Sequence, residues 1–371
     1  MSKRPSLGNC SGRAAKRPAQ QRQQKHLYLV VDDWEKGYSI HKVGEDDFDS
    51  DADAGVDDLR PAKSPVVRIE AHHPYPWALA AHGSKILAMY PSDSSPGIPV
   101  FDTETLGVTV YPYPRSRYAI RAYKPVYASV GDRLVAFVFP HLEVLGPEPP
   151  PLPPIETEMP WSWTSVEPVA PFASCLVSSY ALHPDGRTIF MSVKGWQPNP
   201  DQTLSFRGQR NSTFTLDTES LEWTYLGEWL LPFKDRAYYD RELDAWVGLC
   251  LYKEGVGHVC SCDVPPAAGC ETMPAWKLGN DLFFDMNSET HVGATLVYMG
   301  DSRFCLVECR HHKDYNLYPS LRVLAMDSFV LKYSKEGDLR TAHHRAYASM
   351  SYHQSAYEFG QPISNPVAFW M

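Results

Sequence analysis

One stretch narrows the possible folds more than any other: residues 212–229, Ser-Thr-Phe-Thr-Leu-Asp-Thr-Glu-Ser-Leu-Glu-Trp-Thr-Tyr-Leu-Gly-Glu-Trp. Apolar and polar residues alternate on both sides of a tight turn. Phe214 and Leu216 share one face of the first strand, and Trp223 and Tyr225 resume the alternation in the second, with Asp217-Thr218-Glu219-Ser220 turning between them. The same cassette recurs at residues 99–111, Pro-Val-Phe-Asp-Thr-Glu-Thr-Leu-Gly-Val-Thr-Val-Tyr. A looser copy at residues 333–347 turns through Glu336, Gly337 and Asp338. One two-stranded hairpin is not stable alone in water, so repeated copies predict many small sheets packed side by side.

A second repeat gives the spacing. A small turn, a polar or basic residue and an apolar strand recur at Gly83, Gly131, Gly186, Leu243 and Gly300, in steps of 48, 55, 57 and 57 residues. A period near 50 is the blade length of kelch-type β-propellers. The predicted fold is therefore all-β: a kelch-like propeller of six irregular blades, five of them carrying a visible anchor. The paired strands at residues 27–40 lack the anchor and supply part of the sixth, with the C-terminal segment closing the ring against them. The anchor strand is expected inside each blade and the Asp-Thr-Glu cassette outside. Trp223 and Trp246 are expected to fill wedges between blades, their indole N–H groups finding partners at blade edges.

Composition supports this class. Aromatics make up 12% of the 371 residues, with 10 Trp and 21 Tyr, and favour strands; 32 Pro and 23 Gly leave little room for long helices. No run of 18 apolar residues exists, so no membrane helix is expected. Eight irregularly spaced cysteines in a chain this long read as free thiols in cytoplasm or nucleus.

Two domains of behaviour are expected: a disordered basic tail at 1–26 and a single propeller at 27–371. The tail carries seven Lys or Arg and no acid, which leaves −16 on the remainder against −9 overall. It fits a solvated tail, a two-part nuclear import signal built on Lys3-Arg4 and Lys16-Arg17, or an organelle transit peptide. Residues 45–62 read as an acidic disordered loop with eight acids by position 58. Asp49, Asp51 and Asp53 imitate the start of a calcium loop, but the glycine is one residue late and Arg60 occupies the place of the bidentate Glu. Residues 146–163 read as a stiff, Pro-rich connector between blades.

The sequence resembles a plant family of uncharacterised propeller-like proteins, expanded in grasses and related to F-box-associated kelch proteins. The resemblance rests on LYLVVDDWEKGYSIHKV, VFDTETLGVTVYPYP, SYALHPDGRTIF, FTLDTESLEWTYLGEWLLPF, YYDRELDAWVGLC and ATLVYMGDSRFCLVE, spanning roughly residues 27–347. It implies a propeller and no particular activity. No Gly-Gly pair of the true kelch repeat occurs, and no segment before residue 27 is long or apolar enough for an F-box.

Chemistry is sparse. No GxSxG elbow, P-loop, GxGxxG after a strand or HExxH is present, and no catalytic residue, cofactor or metal is assigned. His258, Cys260 and Cys262 point to one side of an extended strand and form a weak zinc candidate; the one-residue gap between the thiols is not a zinc knuckle. His311-His312 beside Cys309, and His343-His344, read as strand-edge histidines, because neighbours in a strand face opposite ways. The stretch 111–127 interleaves Arg115, Arg117, Arg121 and Lys124 with five tyrosines. Tyr and Arg are favoured at binding hot spots, so Arg115, Arg117, Tyr118 and Arg121 are the expected contact residues for a protein partner. The expected function is a non-enzymatic interaction scaffold. The alternatives are an enzyme with its site at the propeller's central channel, or nucleic-acid binding through 111–127, which the acidic body disfavours. Oligomeric state and partner identity have no signal in the sequence.

Overall fold

The computed structural model describes residues 24–48, 63–70, 79–89, 97–114, 125–138, 141–147, 163–166, 170–196, 210–267, 269–314, 316–342, 346–355 and 365–371. Among these the secondary structure is β, with short 3-10 turns and no α-helix. Successive strands pair with their sequence neighbours, so the chain runs as a series of antiparallel meanders. The first contains β1 (Leu27–Trp34), β2 (Gly37–Val43) and β3 (Val67–Glu70). The second contains β4 (Leu79–His82), β5 (Lys85–Ala88), β6 (Ile98–Asp102) and β7 (Val108–Tyr111). Then come β8 (Val126–Val130), β9 (Arg133–Val138), β10 (His141–Leu145) and β11 (Trp163–Val166). The fourth has β12 (Val177–Leu182), β13 (Thr188–Trp196), β14 (Arg210–Asp217) and β15 (Trp223–Gly227). The fifth has β16 (Phe233–Asp240), β17 (Ala245–Cys250), β18 (His258–Asp263) and β19 (Trp276–Leu282). The last holds β20 (His291–Gly300), β21 (Arg303–His311), β22 (Leu321–Tyr333), β23 (Leu339–Thr341) and β24 (Ala346–His353), the long β22 pairing with both β23 and β24.

The final strand, β25 (Val367–Trp370), returns to the beginning. It pairs antiparallel with β1, Leu27 opposite Trp370 and Val30 opposite Val367, and becomes the first strand of the first sheet. The expected closure of the ring by the C-terminal segment is therefore present. It also explains the missing anchor at residues 27–40, since the chain ends lie where the other sheets have their anchor turn.

Strand alternation packs the sheets against one another. In β1, Leu27, Leu29 and Val31 enter a core shared with β20–β22 and β24, while Tyr28 and Val30 enter a core shared with β4, β5 and β6. In β9, Val135 and Phe137 face the fourth meander and Leu134 and Ala136 face the second. In β17, Trp246 and Cys250 face the fourth and Val247 and Leu249 the last. Each such strand is buried on both faces, which is why it reads as a continuous apolar run rather than a clean alternation. The result is a β-propeller-like ring of sheets with a wedge of core between neighbours.

The anchor strands β5, β9, β13, β17 and β21 stand second in their sheets, not innermost. The first strand of each sheet spends one edge on the central space, so it is shorter of apolar residues; the second has neighbours on every side and carries the strongest hydrophobic signal. The Asp-Thr-Glu cassettes form the outer pairs β6/β7 and β14/β15, as expected. Gly83 (φ +56°) and Gly131 (φ +57°) occupy the left-handed region in the anchor turns. Asp244 and Asp301 take similar φ values in two of the others, a conformation Asp tolerates better than most residues.

Polar bonds stitch the wedges. Trp246 is fully buried and donates its indole N–H to Leu182 O of the neighbouring meander at 2.9 Å. Trp223 packs against Phe137 and Phe172 across its wedge, but its indole nitrogen has no partner among the described residues. The buried Asp240 carboxylate accepts the Ser302 amide and hydroxyl at 2.9 and 2.7 Å, tying the fifth meander to the last. At the start of the acidic stretch, Glu45–Asp47 forms a 3-10 turn, with Glu45 paired to Arg303 and Asp47 to Lys63. Residues 49–62, with the calcium-like aspartates, lie outside the described residues, as do most of the tail and of the Pro-rich connector.

Candidate functional site

The first strands of all the sheets meet around a cavity of about 400 Å³ on the ring's axis: β4, β8, β12, β16, β20 and β25 each contribute to its wall. Most of these strands bring small or apolar residues. β16 does not. Its sequence begins Phe-Lys-Asp-Arg, and Lys234, Asp235 and Arg236 all line the cavity.

The backbone of β16 is irregular at this point. Its register with β17 shifts between Lys234 and Tyr238, a bulge, and Asp235 sits at φ +61°. Bulges bend a strand and re-aim side chains. Here the bend brings β16 alongside β12 in a parallel pair, Ser179 opposite Asp235 and Tyr180 opposite Arg236, so the fourth and fifth meanders fuse into one eight-stranded sheet.

The guanidinium of Arg236 lies over the Tyr238 ring, 4.7 Å from its centroid. Tyr180 donates its hydroxyl to Tyr127 O at 3.3 Å. Burial pushes the Tyr180 phenol up to about 12, with Arg236 pulling weakly the other way, and burial raises Tyr127 as well. Both remain protonated donors at neutral pH. The Tyr127 hydroxyl and the neighbouring Ser179 hydroxyl are buried without a hydrogen-bond partner among the described residues. Asp235 accepts from the Asn365 side chain at 3.5 Å. Among the described residues of the wall Asp235 is the sole carboxylate, and no His or Cys is present.

The residues singled out in the sequence fall elsewhere. Arg115, Arg117, Tyr118 and Arg121 lie outside the described residues, as do His343 and His344. His258, Cys260 and Cys262 are on β18, at the wedge between the fourth and fifth meanders. His258 donates Nδ1–H to Gly279 O at 2.9 Å. Cys260 and Cys262 are buried core thiols directed at Pro232 O and Asp263 O; burial raises both, Cys262 to about 12 and Cys260 well above the usual thiol. Among the described residues no three His, Cys, Asp or Glu are grouped to hold a metal ion. His312 accepts the Asp314 amide at 3.2 Å in a turn, and burial lowers His311. Sequence reasoning passed over the cavity residues. The available signal was three consecutive charges opening a strand that the anchor spacing places in the interior.

No described helix is long and apolar enough to cross a membrane. Solved structures of similar shape include a candidate 6-phosphogluconolactonase from Bacteroides uniformis (11% identity, 86% of this chain and 82% of that one, TM-score 0.43). Others are a chain of a nidogen/laminin complex (11%, 90% and 100%, TM-score 0.40) and Hsv2 of Kluyveromyces lactis (9%, 86% and 97%, TM-score 0.35). At these values the likenesses carry no argument about activity. No curated protein matches the sequence. Residues 24–349 match the model of a family described as "Protein of unknown function (DUF1668)", and the chain belongs to that family.

Proposed function

We propose that this chain is a non-enzymatic protein-interaction scaffold, built on a six-bladed, kelch-like propeller, that docks an extended acidic peptide segment of its partner. The observation that supports this reading is β7. It is the outermost strand of its sheet, and Leu106, Val108 and Val110 beside and along it are 59%, 56% and 55% exposed. An edge strand offers unpaired N–H and C=O groups to an added strand, and exposed alternate side chains give that strand something to read. β7 runs directly into the basic and tyrosine-rich stretch 111–127, whose Arg115, Arg117 and Arg121 supply charge for an acidic segment. The blade spacing near 50 residues supports the kelch-type assignment. The seven described cysteines are free, five of them buried, which supports a reducing compartment such as cytoplasm or nucleus.

The test is affinity capture from native tissue with wild-type chain, a Val108→Lys/Val110→Lys variant, and a variant with Arg115, Arg117, Tyr118 and Arg121 all changed to Ala. The expected result is a partner retained by wild type and lost from both variants while their thermal unfolding is unchanged. A partner held equally by all three removes this surface from the reading.

A further inference from the structure

We propose that the central cavity is a binding site for a small organic anion, its charged group seated on Arg236 and its body against the apolar wall. This site is separate from the β7 edge.

A charge withdrawn from bulk water is normally paired or hydrogen-bonded. Arg236 is half-buried; its guanidinium lies over the face of Tyr238 and within electrostatic reach of the Tyr180 phenol, and among the described residues it has no carboxylate or carbonyl partner. A ring face attracts a cation but uses none of its five N–H donors. The Tyr127 and Ser179 hydroxyls, also without a partner among the described residues, are buried behind the wall and do not open onto the cavity. Lys234 adds a second cation on the same strand. What Arg236 lacks, among the described residues, is an acceptor.

Among the described residues of the wall the single opposing group is Asp235. It is engaged with Asn365 and is outnumbered by Lys234 and Arg236, so the wall keeps a positive balance. The backbone points the same way. The bulge and the left-handed Asp235 are costly features, and such features persist where the surroundings hold them for a purpose. Here they carry three charged side chains to the axis of a ring whose other inner strands are mild.

Size and wall composition set the ligand class. A volume of about 400 Å³ lies within the range of small-molecule sites and is far larger than an inorganic ion needs. Leu79, Leu296 and Val367 provide apolar surface from three other sheets. A planar guanidinium matches a carboxylate or a phosphate with paired bonds. The class is therefore a carboxylate or phosphate monoester with a compact apolar body.

The experiment is calorimetric titration of the full chain, in buffer without chloride, with benzoate, phenyl phosphate and the neutral benzyl alcohol. The expected result is saturable one-to-one binding of at least one anion and none of benzyl alcohol. Arg236→Met should weaken that binding by roughly tenfold or more, the size usual for removing a charged hydrogen-bond donor. Arg187→Met, in an exposed turn outside the cavity wall, should change nothing. If Arg236→Met fails to melt cooperatively, Arg236→Lys serves instead; it keeps the charge, loses the fork and should still weaken binding several-fold. Failure of both anions to bind, equal binding of benzyl alcohol, or unchanged affinity in the Arg236 variant overturns the proposal.

Discussion

The outer turns after Asp102 and Asp217 and the inner strand β16 show two ways in which one ring uses its residues. The outer turns are the same object made twice. Asp102 accepts the amides of Glu104 and Thr105, and Asp217 those of Glu219 and Ser220. Thr103 and Thr218 each send amide and hydroxyl back to the preceding hairpin, to Ser84 O and Arg187 O. Leu106 and Leu221 each take a left-handed φ, 57° and 62°. These bonds are local, so a short sequence word suffices to specify them, and repetition of the word repeats the structure. β16 is made once. Its bulge, its left-handed aspartate and its parallel partner β12 depend on residues far away in the chain. Repetition builds the frame; the departure from it is where the chain places charge on the axis.

If the wedge behind β16 holds its irregular backbone, Trp246→Ala should be the most damaging. Trp246 is fully buried, pairs in register with Tyr239 of β16 and donates across to Leu182 O. A loss of about 3–5 kcal/mol in urea unfolding is expected; a loss below about 1 kcal/mol would mean that β16 holds itself.

If the outer turns are interchangeable, Asp102→Ala and Asp217→Ala should cost the same, about 1–2 kcal/mol each. Asp102 also predicts a pH dependence. Burial works against its charge, but the bonds from Glu104, Ser84 and Thr105 and the nearby Lys85 outweigh it and hold the carboxyl below its ordinary value. A carboxyl lowered in the folded state stabilises it above the unfolded value and stops doing so as pH falls through the folded one. The difference in melting temperature between wild type and Asp102→Ala should hold from neutral pH down to about 4 and shrink below it. A difference that grows on acidification would contradict the assigned role.

The smallest effect concerns the left-handed positions. Leu106 is exposed, so Leu106→Gly should relieve backbone strain with little lost packing and stabilise by about 0.5–1 kcal/mol. Asp235→Gly should gain less, because Asp tolerates this conformation better than Leu and the change gives up the Asn365 contact. Equal gains at both sites would erase the distinction between a frame residue and a site residue.

The frame was legible in the sequence because its information is local. Alternation gave the strands, Asp-Thr-Glu gave the outer turns, and glycine spacing gave the anchors. The ring closure was legible by default, since residues 27–40 lacked an anchor and needed a partner. The anchor strand was expected inside each blade, and it stands second from the axis. Apolar runs mark burial on both faces, which belongs to the second strand, while the innermost strand trades core for the axis. The cavity was not legible because its residues come one or two at a time from separate sheets. Tyr127, Tyr180 and Arg236 share no motif, and only the parallel pairing of β12 with β16 brings the last two together.

The account depends on the chain's last strand closing the ring against its first. Hydrogen exchange at the β1 amides, Leu27–Trp34, tests this most directly, since β1 is central only if β25 covers its inner edge. The ring predicts that Leu27, Leu29 and their neighbours in β1 exchange only with global unfolding, as slowly as β9 and β17, and that β25 is protected with them. Rapid exchange in β25, with β1 opening well before β9 and β17, would contradict closure and the cavity that depends on it.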